Sequence, residues 1–359
     1  MGKRIVIAGG GTGGHIFPAI AIANALKKLD PAVEILFIGA KGKMEMEKVP
    51  QAGYRIEALD IAGFNRSSLL KNLSLPFKLV KSFFQVRSIF KKFRPDAAIG
   101  VGGYSSFPVL KLAQQQGIAT YLHESNSYAG KSNQLLGKMA TKIFVATGGM
   151  EEFFPAEKIL VTGNPVRSNI VKSEISREEA IRFFGLDPAK TTLLSVGGSL
   201  GAKSINEAME AGLPEFEKNG LQLIWQTGKP FAERARQSAK GKQQVWVNDF
   251  IQQMEYAYAA ADLVVSRAGA MAIAEICVVK KPAILVPYPF AAEDHQTVNA
   301  RRLEEKNAAI MVRDAATKNE LVKVVIGLAK DAGRQQELEQ NIAKLAVTNA
   351  DEIIAKNIL

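Results

Sequence analysis

The chain has 359 residues, with 46 Lys+Arg against 35 Asp+Glu, a formal net charge of +11 and 47% hydrophobic residues. At ~100–200 residues per domain this length points to two domains, each able to bury a core, and the composition excludes a disordered, fibrous or low-complexity chain. The single cysteine, Cys277, can form no internal disulfide and no thiolate cluster, which suits a reducing compartment. No apolar run reaches ~18 residues and no signal-type apolar region precedes the first strand pattern, so no span is expected.

In chain order, Arg4-Ile5-Val6-Ile7-Ala8 reads as a buried strand, followed by a glycine loop from Gly9 to His15. A helix comes next, with Pro18 near its first turn and Ala, Ile and Leu at helical spacing to Leu29. Residues 34–38, 97–101, 120–123 and 142–145 read as further strands separated by helical stretches. From about Thr191 the pattern restarts: a strand over 192–196, a second glycine loop over 197–201, a helix through Asn206 to Leu213, then strands over 221–225, 263–265 and 283–286. The stretch from Lys318 is helical and rich in Gln, Glu, Lys and Leu. Alternation of this kind predicts an α/β chain of two doubly wound, Rossmann-like domains with parallel sheets. The turn Gly163-Asn164-Pro165, which follows a short apolar strand, sets the expected boundaries at 1–164 and 165–340, with a terminal helix over 341–359 that packs back on the first domain. Ligands of open α/β sheets bind at the C-terminal ends of the strands, so the active site is expected in a cleft between the domains.

Gly9, Gly11 and Gly14 fit the G-x-G-x-x-G spacing after a strand and before a helix, where backbone N–H groups can meet a diphosphate. A nicotinamide dinucleotide would need an acidic residue at the end of the second strand, which instead reads Phe37-Ile38-Gly39-Ala40-Lys41. Contact with some other anion is favoured over a plain tight turn. Residues 198–204 resemble the end of a phosphate loop, but Ala202 stands between Gly201 and Lys203 and puts the lysine out of register. A third loop, over 100–106, also follows an apolar strand, and its glycines allow close backbone approach.

His15, His123 and His295 all fall at strand ends or loop starts, which favours function over burial on an apolar helix face. No pair has zinc-site spacing and no Asp-x-Asp triplet occurs, so metal-free chemistry with no cofactor is expected. Glu275, on the helix after the strand near Val264, could accept two sugar hydroxyls; a surface charge or helix-dipole role is the even alternative.

Between Phe64 and Arg94 there are eight basic residues and no acidic one, interleaved with more Leu, Val, Ile and Phe than one helix stripe can bury. Phe77, Lys78, Lys81, Phe83, Phe84, Arg87 and Lys91 are accordingly expected on a membrane-surface face, where cations meet anionic lipid and apolar side chains insert. An ordinary packed helix with a solvated basic face is the alternative. Nucleic acid is disfavoured, because the phenylalanines are not displayed as a stacking platform.

Several motifs in one order carry a resemblance over nearly the whole chain: Gly-Gly-Thr-Gly-Gly-His at 10–15, Gly-Gly-Tyr at 102–104, His-Glu-Ser-Asn at 123–126, Gly-Asn-Pro-Val-Arg at 163–167, Gly-Gly-Ser-Leu-Gly-Ala at 197–202, Ser-Arg-Ala-Gly-Ala at 266–270 with Glu275, and Asp-His-Gln at 294–296 with Asn299. The sequence resembles the MurG family, the bacterial transferases that add N-acetylglucosamine to lipid I to make lipid II in peptidoglycan synthesis. That resemblance implies the glycosyltransferase B fold, a metal-independent inverting hexosyl transfer, an acceptor and membrane-associating first domain, and a UDP-N-acetylglucosamine-binding second one. It also implies a peripheral location on the cytoplasmic face of the inner membrane and a link to cell shape and division proteins. Ser199, Ile251, the segment Ala270, Met271, Ala272, Ile273, Ala274 and Glu275, and Gln296 would hold the donor, with Arg167 facing its diphosphate and Thr12, Gly13, Gly14 and Asn126 bordering the same cleft. Gly102, Gly103 and Tyr104 would meet the acceptor diphosphate. His15 is the first choice of general base and Glu124 the alternative. Ser125 stands where many relatives carry Gln, and the 270–275 segment lacks two hydroxyls of the usual pattern, so hydrogen bonds there must come from the backbone. A UDP-sugar epimerase or a glycolipid transferase of the same fold, or a non-catalytic nucleotide- or membrane-binding module, remain as alternatives.

Overall fold

The computed structural model describes residues 2–63, 74–291 and 294–359; the part of the basic segment over 64–73, Arg66 and Lys71 included, lies outside the described residues. The chain divides into two compact units, one made of the residues up to Arg167 together with Asn349–Leu359, the other of Ser168–Thr348. The first unit thus ends three residues beyond the expected boundary at 164 and reclaims only the chain from 349, not from 341.

The first unit holds a seven-stranded sheet, β1 (Arg4–Ala8), β2 (Glu34–Ala40), β3 (Arg55–Leu59), β4 (Ala97–Gly100), β5 (Ala119–Glu124), β6 (Lys142–Val145) and β7 (Ile159–Val161), in the order β3-β2-β1-β4-β5-β6-β7. All its pairings are parallel. Both faces are covered, which is why β1 reads as an unbroken apolar run. Ile5 and Ile7 face the helices Gly13–Leu29 and Ala350–Ile358, while Val6 and Ala8 face the side of Val86, Phe90, Val109 and Leu110. The terminal helix adds Ile354 and Ile358 to the first of these cores, and it is pinned by Lys28–Glu352 (2.6 Å) and by Lys142 donating to Asn357 (2.7 Å). The preceding helix, Ala332–Ala343, belongs to the second unit.

The second unit repeats the design with β8 (Thr191–Val196), β9 (Leu221–Gln226), β10 (Val245–Asn248), β11 (Leu263–Ser266), β12 (Ala283–Leu285) and β13 (Ile310–Met311), in the order β10-β9-β8-β11-β12-β13 and again all parallel. Strands β3, β10 and β13 escape the sequence reading, and all three are sheet edges. In β3, Arg55 and Glu57 are exposed, and the residues of β10 and β13 are only half-buried, so none shows a continuous apolar run.

In each sheet the strand order reverses once, between β1 and β4 in the first and between β8 and β11 in the second. Crevices at such switch points are where α/β sheets take ligands. The loops that leave these four strands are the glycine loop ending at His15, the loop over 101–105, the loop over 197–202, and the loop over 267–269.

Candidate active site

In the first unit the two switch-point loops lie against one another through glycine. A Cβ on Gly103 would stand 2.5 Å from the Gly10 carbonyl oxygen, and one on Gly102, whose φ is +99°, would stand 2.6–2.7 Å from Cδ2 and Nε2 of His15. These two glycines let one loop seat on the other and on the imidazole. Ser106, buried at the start of the helix Ser106–Gln115, locks the arrangement by donating to the carbonyls of Ala8 and Gly102, both at 2.9 Å. His15 Nδ1 lies 3.1 Å from the Gly10 carbonyl oxygen. A carbonyl can only accept, so Nδ1 carries the proton and the lone pair is on Nε2, the form a general base requires. Gly13 and Gly14 open the 17-residue helix Gly13–Leu29, and their amides, which precede the first helical hydrogen bonds, favour an anion. The Arg167 guanidinium stacks over Phe17 of the same helix at 4.6 Å.

Glu124 does not have the freedom of a base. Its buried carboxylate accepts from the amide (3.1 Å) and Nδ2 (3.3 Å) of Asn126, from Gly130 N (3.2 Å) and from Asn133 Nδ2 (2.8 Å). Four donors hold it as the anchor of the 124–133 loop, and Asn126 is positioned through it. His123 is fully buried with neither ring nitrogen in hydrogen-bond geometry. Burial drives its pKa down to about 4; the Gly163 backbone nearby opposes the shift and the His15 charge adds to it. It is a neutral packing residue at physiological pH, not a proton carrier. Burial, and second the Glu45 charge, push the Tyr104 phenol up, so Tyr104 offers a neutral hydroxyl.

Glu45 is the residue that sequence reasoning missed. It is buried, and its carboxylate accepts from Gly11 N (2.9 Å) and Ala40 N (3.0 Å) beneath the first glycine loop. The only available signal was an acidic residue in a short helix after β2, which reads as an exposed cap.

In the second unit the 197–202 loop is held by polar side chains. Gln226 donates to the Gly198 carbonyl (3.1 Å) and accepts from Ile251 N (2.9 Å); Asn206 donates to the Thr227 carbonyl (2.8 Å) and accepts from Trp225 Nε1 (3.0 Å). Gly201, at φ +75°, packs on the Thr227 carbonyl, from whose oxygen a Cβ would stand only 2.0 Å. Ile251 is buried with its amide already taken by Gln226, so only its carbonyl is left to reach a ligand. Arg267 donates to Asp314 (2.5 Å), to the Val286 and Pro287 carbonyls and to Ser204 Oγ (3.1 Å), tying the helix after β8 to the segments after β11, β12 and β13. Asn299 donates to the Ala268 carbonyl (3.2 Å).

The segment Ala270–Val279 is a helix capped by Gly269, which places Ala270, Met271 and Ala272 in its first turn, while Ile273 N already donates to Gly269 O (3.0 Å). Ile273 and Ala274 therefore add backbone shape rather than free amides. Glu275 lies in the second turn and is buried, with Tyr258 Oη donating to its Oε2 at 3.0 Å. That burial removes the surface-charge alternative. Gln296, in the first turn of the helix His295–Glu304, accepts from Tyr288 N (3.0 Å) and so orients the loop after β12. Ser199 is half-buried in the 197–202 loop. Cys277 is buried and its thiol is pushed up to about 12 by desolvation, which leaves it unreactive. Among the described residues no three metal-ligating side chains converge.

The basic helix spans Leu75–Phe93. Phe77 and Phe84 are 79% and 70% exposed, and Val80 is also exposed, beside Lys78, Lys81, Arg87 and Lys91. Phe83 corrects the sequence reading: it is half-buried, edge-on to Phe107 with ring centroids 6.5 Å apart, and belongs to the packed side. Lys81 forms an ion pair with Asp60 (2.6 Å) from outside the segment. No described helix is long and apolar enough to cross a membrane.

Two family models match the chain, the glycosyltransferase family 28 N-terminal domain over residues 5–145 and the family 28 C-terminal domain over 192–355. A UDP-N-acetylglucosamine–N-acetylmuramyl-(pentapeptide) pyrophosphoryl-undecaprenol N-acetylglucosamine transferase of Phocaeicola vulgatus is 54% identical over 358 residues, covering 99% of this chain and 95% of that one. The enzyme of the same description from Cytophaga hutchinsonii is 50% identical over 355 residues, covering 99% and 96%. Among solved structures, Acinetobacter baumannii MurG aligns with a TM-score of 0.77 at 28% identity over 99% of both chains. An S. aureus MnaA–UDP structure aligns at 0.71 with 15% identity, covering 99% and 96%, a likeness that shows the fold alone. With both family models matched and half of the residues shared along its length, the chain belongs to the MurG family of glycosyltransferases, on the two-domain α/β fold of that family.

Proposed function

We propose that the chain transfers N-acetylglucosamine from UDP-N-acetylglucosamine to the C4 hydroxyl of the N-acetylmuramyl residue of lipid I, releasing UDP and forming lipid II with inversion at the anomeric carbon. The observation that carries this reading is full-length identity of 54% to an enzyme described by that reaction. In the second unit, the buried Glu275 carboxylate takes the donor ribose hydroxyls, and the first-turn amides at 270–272, Ser199, the Ile251 carbonyl and Gln296 line the nucleotide. In the first unit, His15 Nε2 removes the proton of the acceptor hydroxyl as its oxygen bonds to the anomeric carbon and the bond from that carbon to UDP breaks. Charge on the departing diphosphate is met by Arg167 and by helix N-terminal amides at Gly13 and Gly14. Gly102 and Gly103 serve chiefly to seat their loop on His15, and Tyr104 is the side chain of that loop left for the acceptor diphosphate.

The exposed Phe77, Val80 and Phe84 beside Lys78, Arg87 and Lys91 support docking on an anionic leaflet, on the cytoplasmic face where lipid I would be met. Association with cell-wall synthesis and division proteins rests on the family resemblance alone. Incubation with UDP-N-acetylglucosamine and lipid I tests the reaction: lipid II and stoichiometric UDP are expected, and UDP release without lipid II refutes it. Changing Phe77 and Phe84 to Ser and Lys78 to Glu is expected to release the enzyme from anionic vesicles while a short-chain, water-soluble acceptor is still used; unchanged sedimentation with vesicles places the docking face elsewhere.

A further inference from the structure

Gly10 C=O and Gly11 N–H belong to one peptide group, and among the described residues no peptide bond is cis. In a trans peptide the N–H and C=O lie in the peptide plane and point in opposite directions within it. On one side, the Glu45 carboxylate takes the Gly11 N–H at 2.9 Å; on the other, the Gly10 carbonyl takes the His15 Nδ1–H, with 3.1 Å between oxygen and nitrogen. We propose that Glu45 is a positioning residue for the reaction, acting on His15 through this single peptide group. The proposal rests on His15 being the base and extends that reading by naming what orients it.

The physical argument has three parts. Glu45 is buried and satisfied by two backbone donors, Gly11 and Ala40, so its carboxylate remains a fixed acceptor beneath the loop. The space it fills is reserved: a Cβ on Gly10 would stand 2.2 Å from Oε1, and one on Gly39 2.5 Å from Cγ, so no other residue at either position lets the carboxylate reach the peptide. Hydrogen bonds in a chain polarise one another, and a carboxylate pulling on the N–H makes the carbonyl of the same amide a stronger acceptor. That holds the His15 proton on Nδ1 and supports the positive charge on the ring once Nε2 has taken the acceptor proton. In hydrolase triads a carboxylate touches its histidine directly; here a planar peptide is interposed. Glu45 is therefore placed to fix the tautomer while remaining out of reach of the acceptor.

The test is histidine ¹⁵N NMR joined to steady-state kinetics. The chain has three histidines, so His15 is assigned by the signal lost in His15→Asn. In the parent enzyme at pH 8, His15 is expected as the single tautomer protonated on Nδ1. Glu45→Gln keeps the size but presents at most one acceptor to two donors. It is expected to give a mixture of tautomers and about tenfold lower kcat, with KM for UDP-N-acetylglucosamine unchanged. A purely structural Glu45 would change stability and leave the tautomer and the kcat of the folded fraction alone, which overturns the proposal. If Glu45→Gln fails to fold, the parent spectrum still decides: an Nε2-protonated His15 overturns it. Failure of the underlying reading looks different, because His15→Asn would then retain the parent's kcat.

Discussion

The two units share one topology around their switch points, β1 against β4 and β8 against β11, yet they furnish those points in opposite ways. In the first, two loops meet through glycine, Gly103 on Gly10 and Gly102 on His15, with few polar side chains among them: Ser106 bonds two carbonyls, and the His15 imidazole and the buried Glu45 carboxylate each bond the peptide between Gly10 and Gly11. In the second, the loops are laced by side chains, Gln226, Asn206, Arg267 and Asp314, with Glu275 and Gln296 set behind them. Glycine contact brings a reactive group close to backbone with no side chain to intervene, which suits proton transfer. A lattice of amides and ion pairs fixes several donors and acceptors at once, which suits recognition of a polar ligand. On the proposed reading, the same scaffold serves chemistry in one unit and binding in the other through what it hangs on equivalent loops.

The comparison breaks first at His15. His15→Asn is expected to lower kcat by about 10²–10⁴-fold while UDP affinity measured by calorimetry stays that of the parent, and equal losses in both would mean the units are not so divided. Glu275→Ala is the converse. Loss of a buried carboxylate that accepts two hydroxyls is expected to cost ~2–4 kcal/mol, about 30–1000-fold in kcat/KM, and unchanged kcat/KM would remove Glu275 from the donor site.

Gly102→Ala sharpens the first half of the comparison. The methyl would press on the His15 ring, so kcat is expected to fall by about 100-fold. Gly149→Ala, at φ +81° in open space, carries the backbone strain without the collision and serves as its control. Equal kcat values in the two variants would show that strain alone matters.

His123 gives a stability effect confined to the first unit. Its folded pKa of about 4 lies below the ordinary 6.5, so between those values the unfolded chain takes up a proton that the folded one refuses. Stability from this group is therefore complete above pH ~6.5 and is lost as pH falls toward 4, by up to ~3 kcal/mol. Urea midpoints at pH 7 and pH 4.5 should converge in His123→Asn relative to the parent, and an unchanged pH slope would refute the assignment. The smallest expected effect is that of a chelator. With no Asp-x-Asp pair in the sequence and helix N-termini available for the diphosphate, turnover in EDTA should match that without it. Loss restored by magnesium would contradict this.

What the sequence determined by itself was the repeated strand–loop–helix order, the central strands and the position of the glycine loops. Those signals are local: a strand buried on both faces must be apolar at every position, and a loop that turns sharply into a helix needs glycine. Edge strands β3, β10 and β13 were not legible, because one open side lets charged or polar residues stand among the apolar ones. Tertiary structure alone decided which polar residues are free to act. Glu124 and Glu45 look alike in sequence, each a carboxylate near a strand end, yet four donors fix the first as a loop anchor and two backbone amides place the second under His15. Phe83 and Phe84 are adjacent and identical in kind, and only contact with Phe107 sets the half-buried Phe83 on the packed side and leaves Phe84 exposed. A side chain's role depends on partners distant in sequence, and those partners meet only when the sheet and its helices have assembled.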